Sequence, residues 1–177
     1  MMPEPMVAAL LVLVALCVGV DLRARRIPNL ISGLGMLLGL VSNTLYFGAE
    51  GLMASVGGLL LMVALLLLPF ALGGLGGGDV KMMGAIGAFL GPRAACAALL
   101  LGMVFGGVVM AVHLARRGRL RHTVMTVGTM ATASLLGASL EPLRVSTARP
   151  GAIALPYSVP LGLGTIAVQA ISRTVGL

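Results

Sequence analysis

The sequence predicts an all-α, polytopic membrane protein with about six transmembrane helices. Three observations carry that prediction. Of the 177 residues, 59% are hydrophobic and 10% charged, with a mean hydropathy of +1.10, values of polytopic membrane proteins and outside the range of soluble globular domains. Apolar runs recur along the chain, most of them approaching the roughly 20 residues that cross a bilayer as helix. The cations lie between those runs, in loops where positive-inside sorting accounts for them.

The first run, Met6 to Val20, follows Met-Met-Pro-Glu-Pro, which has no basic n-region. Leu16 is not the small residue that lipoprotein cleavage before Cys17 would need, so the run is expected to stay as a span. Pro28 disfavours helical backbone at Ile27, so the chain turns there and restarts as the second run, Leu30 to Phe47. The third, Leu52 to Leu72, contains Pro69, expected to kink it or weaken its last turns. The fourth, Val80 to Leu90, is about three helical turns, so it must take in the glycine-rich residues before it or lie buried among its neighbours. The fifth runs from Ala94 to Leu114, and the sixth, Leu155 to Ile171, opens on Pro156 and Pro160. Small-xxx-small steps at Gly35–Gly39, Gly87–Gly91 and Gly102–Gly106 offer close helix approach.

The segment Thr123 to Leu140 is long enough to span yet rich in Thr and Ser. Charge arbitrates. With six spans and an outside N-terminus, Arg23, Arg25, Arg26, Lys81, Arg116, Arg117, Arg119, Arg121, Arg144 and Arg149 lie inside, leaving Arg93 and Arg173 outside. A seventh span would move Arg144 and Arg149 outside, so the Thr-rich segment reads as interfacial or re-entrant. Residues 1–177 read as a single integral-membrane domain. The net charge of +7 is explained by these loops and does not call for nucleic acid. Cys17 and Cys96 lie in apolar runs without zinc-site spacing, and no metal or other cofactor is expected.

Only two aspartates occur, Asp21 and Asp79, each where an apolar run meets a cation-bearing loop. A carboxyl at the edge of the apolar zone is costly and marks function unless a structural partner accounts for it. Both fall at the same face in the six-span topology, so helix packing can bring them together. A pair that shares one proton supplies an acid and a base, the arrangement for activating water against a peptide carbonyl.

Asp79 stands in Gly76-Gly77-Gly78-Asp79-Val80-Lys81, at an expected helix start where the dipole favours its charge. The run completes neither a dinucleotide nor a Walker pattern and follows a span instead of a strand. Asp21 stands in Asp21-Leu22-Arg23-Ala24-Arg25-Arg26-Ile27-Pro28-Asn29, where an ion pair with Arg25 is the plain alternative to a functional role. The serines have no obvious base partner in sequence, and His113 and His122 flank a basic loop.

These two motifs, followed by Leu155-Pro156-Tyr157-Ser158-Val159-Pro160, resemble the type IV prepilin peptidases, the GxGD intramembrane aspartic peptidases. More narrowly, the chain is similar to the short, peptidase-only members of tight-adherence (Flp) pilus systems. The resemblance implies an aspartic endopeptidase of the bacterial inner membrane that removes short basic leaders from prepilins or pseudopilins at the cytoplasmic face. Asp21 and Asp79 match the two catalytic aspartates. Gly76 and Gly78 belong to the motif. Lys81 matches the family's lysine after the motif, with a site-tuning, substrate-contacting or structural role, and Arg25, Arg26 and Asn29 match loop positions that would contact substrate or tune the site. Bifunctional relatives carry a cytoplasmic insertion with paired cysteines near the N-terminus. This chain has neither, so cleavage without N-methylation is expected. The alternatives are a small proton-coupled transporter and a non-enzymatic pilus-assembly subunit. Transport would normally place polar groups near the bilayer midplane, often in repeated halves.

Overall fold

A computed structural model describes residues 2–118 and 157–175. They form four helices, α1 Glu4–Ala24, α2 Asn29–Ala71, α3 Gly77–Arg116 and α4 Ser158–Val175. Among the described residues there is no strand, in keeping with the all-α expectation. Helices α1, α2 and α3 are long and apolar enough to cross a membrane. The Thr123 to Leu140 segment, Pro156, His122, Arg119, Arg121, Arg144 and Arg149 lie outside the described residues.

Helix α1 starts after Pro3 and ends at Arg25, whose left-handed φ of 50° stops the ladder ahead of Pro28. It buries Met6, Leu10, Leu13, Val14 and Cys17 at helical spacing and presents Val12 and Leu16 outward. Those outward residues are as apolar as the buried ones, the mark of a surface that meets lipid.

A straight helix of α2's 43 residues would be about 65 Å long, twice a bilayer's hydrocarbon core. Instead it breaks at Gly48, where φ 63° and ψ −143° are open only to glycine. In the first arm, Gly35 lies against Ala85, Gly39 against Ala88 and Asn43 against Phe89, so the numbers rise together. In the second, Gly58 lies against Gly87, Val63 against Gly84 and Ala54 against Gly91, so they run oppositely. The two arms are therefore antiparallel, and the chain reverses at Gly48.

The same device divides α3. Gly91 takes φ 72° and ψ 176°, the extended ψ that a following proline favours, and Pro92 opens the second arm where no N–H is missed. Helix α4 runs antiparallel to α1, with Gly162 beside Val14 and Val18, Gln169 Nε2 on Met2 Sδ and Arg173 Nη2 on Glu4 Oε2 at 2.7 Å. It is also antiparallel to the second arm of α3, where Gly106 meets Pro160, Gly102 meets Leu161 and Gly164 meets Ala98. All three small-xxx-small steps thus lie at helix contacts, as expected.

Both sequence-based options for the short fourth run are realised together. The first arm of α3 takes in Gly77 and Gly78 and is buried almost all round: Met82, Met83, Ala85, Ile86, Ala88 and Phe89 form the centre of the core. Pro69 has a milder effect than a mid-span kink, since α2 keeps helical angles there and stops two residues later. The sharp breaks are glycines.

Breaking α3 at Gly91 leaves carbonyls at the end of its first arm without helical donors. Asn43 and Ser55, from the two arms of α2, supply them. Asn43 Nδ2 donates to Ala88 O at 2.8 Å and Phe89 O at 3.0 Å, and Ser55 Oγ donates to Ala88 O at 2.5 Å. In an apolar surrounding an unmet carbonyl is expensive, so Asn43→Leu is expected to cost about 1–3 kcal/mol and lower Tm in detergent by roughly 3–10 °C. Heat-induced aggregation of the purified protein measures this. No change in Tm would show the bonds to be dispensable.

Candidate active site

The helix directions gather the end of α1 and the starts of α2, α3 and α4 at one end of the bundle. Gly162 of α4 packs on Val14 and Val18 of α1, and a Cβ added to it would stand 3.9 Å from Met82 Cε of α3. One turn nearer that end lie Ser158, Asp21 and Asp79. Asp21 follows Val18 by three residues and Asp79 precedes Met82 by three, so both carboxyls stand at the same level of the bundle as the start of α4.

The loop before Asp79 follows from its glycines. Helix α2 closes with Gly73 left-handed at φ 76°, Gly73 N–H on Phe70 O at 3.0 Å and Gly74 N–H on Pro69 O at 2.9 Å, a Schellman motif. Gly76 then precedes α3, and its N–H donates to Asp79 Oδ2 at 3.2 Å, one half of a capping box. A Cβ at Gly76 would stand 3.2 Å from that same oxygen, and one at Gly78 would stand 3.2 Å from Ile27 Cγ1. The paired glycines therefore do two things: Gly76 lets the carboxylate fold back onto its own helix start, and Gly78 lets the Arg25–Pro28 loop seat buried Ile27 over it. Asp79 is 7% exposed, at the positive end of the α3 dipole.

Asp21 has the opposite problem. It sits in the last turn of α1, where the dipole disfavours an anion. Its Oδ2 accepts a 2.6 Å hydrogen bond from Ser158 Oγ, at the start of α4, whose dipole has the favourable sign. The expected alternative, an ion pair with Arg25, is not formed. The left-handed turn carries Arg25 off the helix into an exposed loop with Arg26, and among the described residues the ion pair is Arg173 with Glu4.

Lys81 does not pair with Asp79 either. Its Nζ donates to Asn29 Oδ1 at 2.7 Å, tying the start of α3 to the start of α2. The structure thus joins Asp21 to Ser158, Asp79 to Gly76, Gly78 to Ile27 and Lys81 to Asn29, and leaves Arg25 and Arg26 on the rim. Among the described residues no three His, Cys, Asp or Glu side chains cluster as metal ligands. Ser158 is the member that sequence reasoning missed, although it stands in one of the three motifs that carry the resemblance.

The family model described as the type IV leader peptidase family matches residues 8–111, well over half of the chain and including both aspartates. The chain belongs to the type IV leader peptidase family. Membership supports a leader peptidase activity, with a pilin-type precursor as substrate. The matched region runs from within α1 to within α3 and stops before α4, so Ser158 lies beyond it. No curated protein and no solved structure matches the chain.

Proposed function

We propose that this family member is an intramembrane aspartic endopeptidase that cleaves the basic leader from a prepilin or pseudopilin, with Asp21 and Asp79 as its catalytic pair. The observation that carries the reading is that the chain's only two aspartates lie at one end of the bundle, each one turn beyond the residues that pack on Gly162 of α4. Two such carboxyls do not readily both ionise, and a pair holding one proton has a base and an acid side by side. The ionised member takes a proton from water as its oxygen attacks the scissile carbonyl. The protonated member hydrogen-bonds the carbonyl oxygen as it becomes the tetrahedral oxyanion. Collapse of that intermediate, with a proton delivered to the leaving nitrogen, yields a carboxyl on the leader and a free amine on the mature pilin.

The antiparallel arms support six membrane crossings: α1, two arms each of α2 and α3, and α4. In that arrangement Arg23, Arg25, Arg26, Lys81, Arg116 and Arg117 stand at the aspartate end, and Arg93 and Arg173 at the other. This asymmetry supports an active site facing the cytoplasm from a bacterial inner membrane. The first arm of α3, 14 residues or about 21 Å, is shorter than the bilayer core and takes its surroundings from protein. The four-residue connection between α1 and α2 has no room for the cysteine-paired insertion of bifunctional relatives, which supports cleavage without methylation. A precursor of the tight-adherence (Flp) pilus type is the substrate that the sequence resemblance favours.

The test is co-expression with such a prepilin, followed by the mass of the pilin. The reading expects a product shortened by its leader and bearing no added methyl group on the new N-terminus. A full-length product across a panel of Flp-type prepilins would sink the substrate assignment, and a methylated one would overturn the peptidase-only assignment.

A further inference from the structure

Ser158 is fully buried, with 0% of its surface exposed, yet it does not serve its own helix. It occupies the first helical residue of α4, and the N–H of Leu161 is taken by the Tyr157 carbonyl at 3.2 Å. Its hydroxyl proton is directed across the bundle to Asp21 Oδ2, 137 residues away in sequence, at 2.6 Å. That length marks a close O–H···O hydrogen bond.

The donor stands on a braced element. Gly162 is wedged against Val14, Val18 and Met82, Gly164 against the Ala98 carbonyl and Gly102, and the far end of α4 is tied to α1 through Glu4 and Met2. The acceptor stands on a weaker one. Asp21 lies four residues from the left-handed residue that ends α1, at the wrong pole of its own helix dipole. The bond therefore runs from a fixed group to one whose own helix neither fixes nor favours it.

We infer that Ser158 is a positioning residue for Asp21 in the leader-peptidase reaction, holding the carboxylate beside Asp79 through its hydroxyl. This rests on the proposed aspartate pair. Ser158 does not exchange protons with substrate; it acts through Asp21. A carboxylate released from that bond samples other rotamers, and the pair is then assembled in only a fraction of molecules. The loss falls on turnover and spares substrate affinity.

The experiment compares wild type with Ser158→Ala, Ser158→Thr and Ser158→Val on the same prepilin, with kcat per folded molecule and KM measured separately. Asp21→Asn runs alongside. Ser158→Ala is expected to lower kcat by roughly ten- to a hundredfold with KM unchanged. Thr and Val add the same bulk and differ by one hydroxyl, so a folding cost common to both cancels. Ser158→Thr is expected to keep most of the turnover and Ser158→Val to lose it. Equal kcat for Thr and Val, or wild-type kcat for Ala, would overturn the inference while Asp21→Asn stays inactive. Cutting by Asp21→Asn would instead remove the aspartate pair itself, a separate failure.

Discussion

Asp79→Asn and Asp21→Asn are each expected to lower leader cleavage by about three orders of magnitude or more, the scale of losing a positioned acid or base together with its partner. Asparagine has the size of aspartate and keeps a carbonyl oxygen. At position 79 it can still accept the Gly76 N–H, and at 21 it can still accept the Ser158 hydroxyl. What it lacks is a proton to exchange. Since helix start, loop closure and α4 docking all survive, a loss of cutting reports chemistry and not folding. The measurement is the rate of prepilin conversion, read by gel shift and mass, at matched membrane levels of each variant. Full activity in both variants would remove the catalytic pair, and no cutting by any form, wild type included, would return the chain to the transporter or assembly-subunit reading. Loss in one variant alone would show that one carboxyl carries the reaction unaided.

The aspartates were legible because the chain is so poor in charge. In a sequence 59% hydrophobic, two carboxyls at the ends of apolar runs stand out without any structure. The apolar runs were legible for a related reason: lipid demands contiguous apolar length, and α1, the arms of α2 and α3, and α4 overlap the six apolar runs of the sequence. The reversals were not. The chain has 26 glycines, and nothing local distinguishes Gly48, at φ 63°, from Gly57, which keeps helical angles. Pro92 gives a hint for Gly91, whereas Pro69 drew attention to a place where the helix was about to end anyway.

The partner of Asp21 was hidden by distance. A neighbour four residues away, Arg25, is what a helical reading offers, but the left-handed backbone at that residue takes it off the helix. The true partner is delivered by α4, and only the antiparallel packing of α4 on α1 reveals it. Lys81 shows the same limit. Sequence proximity suggests Asp79, while the fold gives it Asn29.

The largest effect on stability is expected at Gly58. A Cβ there would fall 2.8 Å from Gly91 Cα and closer still to the Gly87 carbonyl oxygen, and a Cβ at Gly87 would fall 2.7 Å from the Gly58 carbonyl carbon. Both obstacles are backbone, so no side chain can swing aside. The second arm of α2 and the first arm of α3 would have to separate. Separation forfeits more than contact area, because polar bonds such as the one from Ser55 Oγ to the Ala88 carbonyl lie in the same seam. Lipid tails are as apolar as the helix surfaces, so close packing and those bonds, not water exclusion, hold the seam together.

Gly58→Leu is therefore expected to cost about 3 kcal/mol or more and to abolish heat-resistant, protease-resistant protein in detergent. The neighbouring Gly57 has nothing within 4 Å of its Cβ position, so Gly57→Leu adds the same side chain to the same helix and is expected to be tolerated. Equal stability of the two variants would overturn the packing argument. A milder substitution links this seam to the proposed aspartate pair. Asp79 stands eight residues, about two turns, before Gly87 on the same arm. Gly58→Ala forces that arm to move by a small amount, and the movement is carried along a rigid helix to the carboxylate. Leader cleavage is then expected to fall in protein that still folds, because the pair must hold its geometry closely to react.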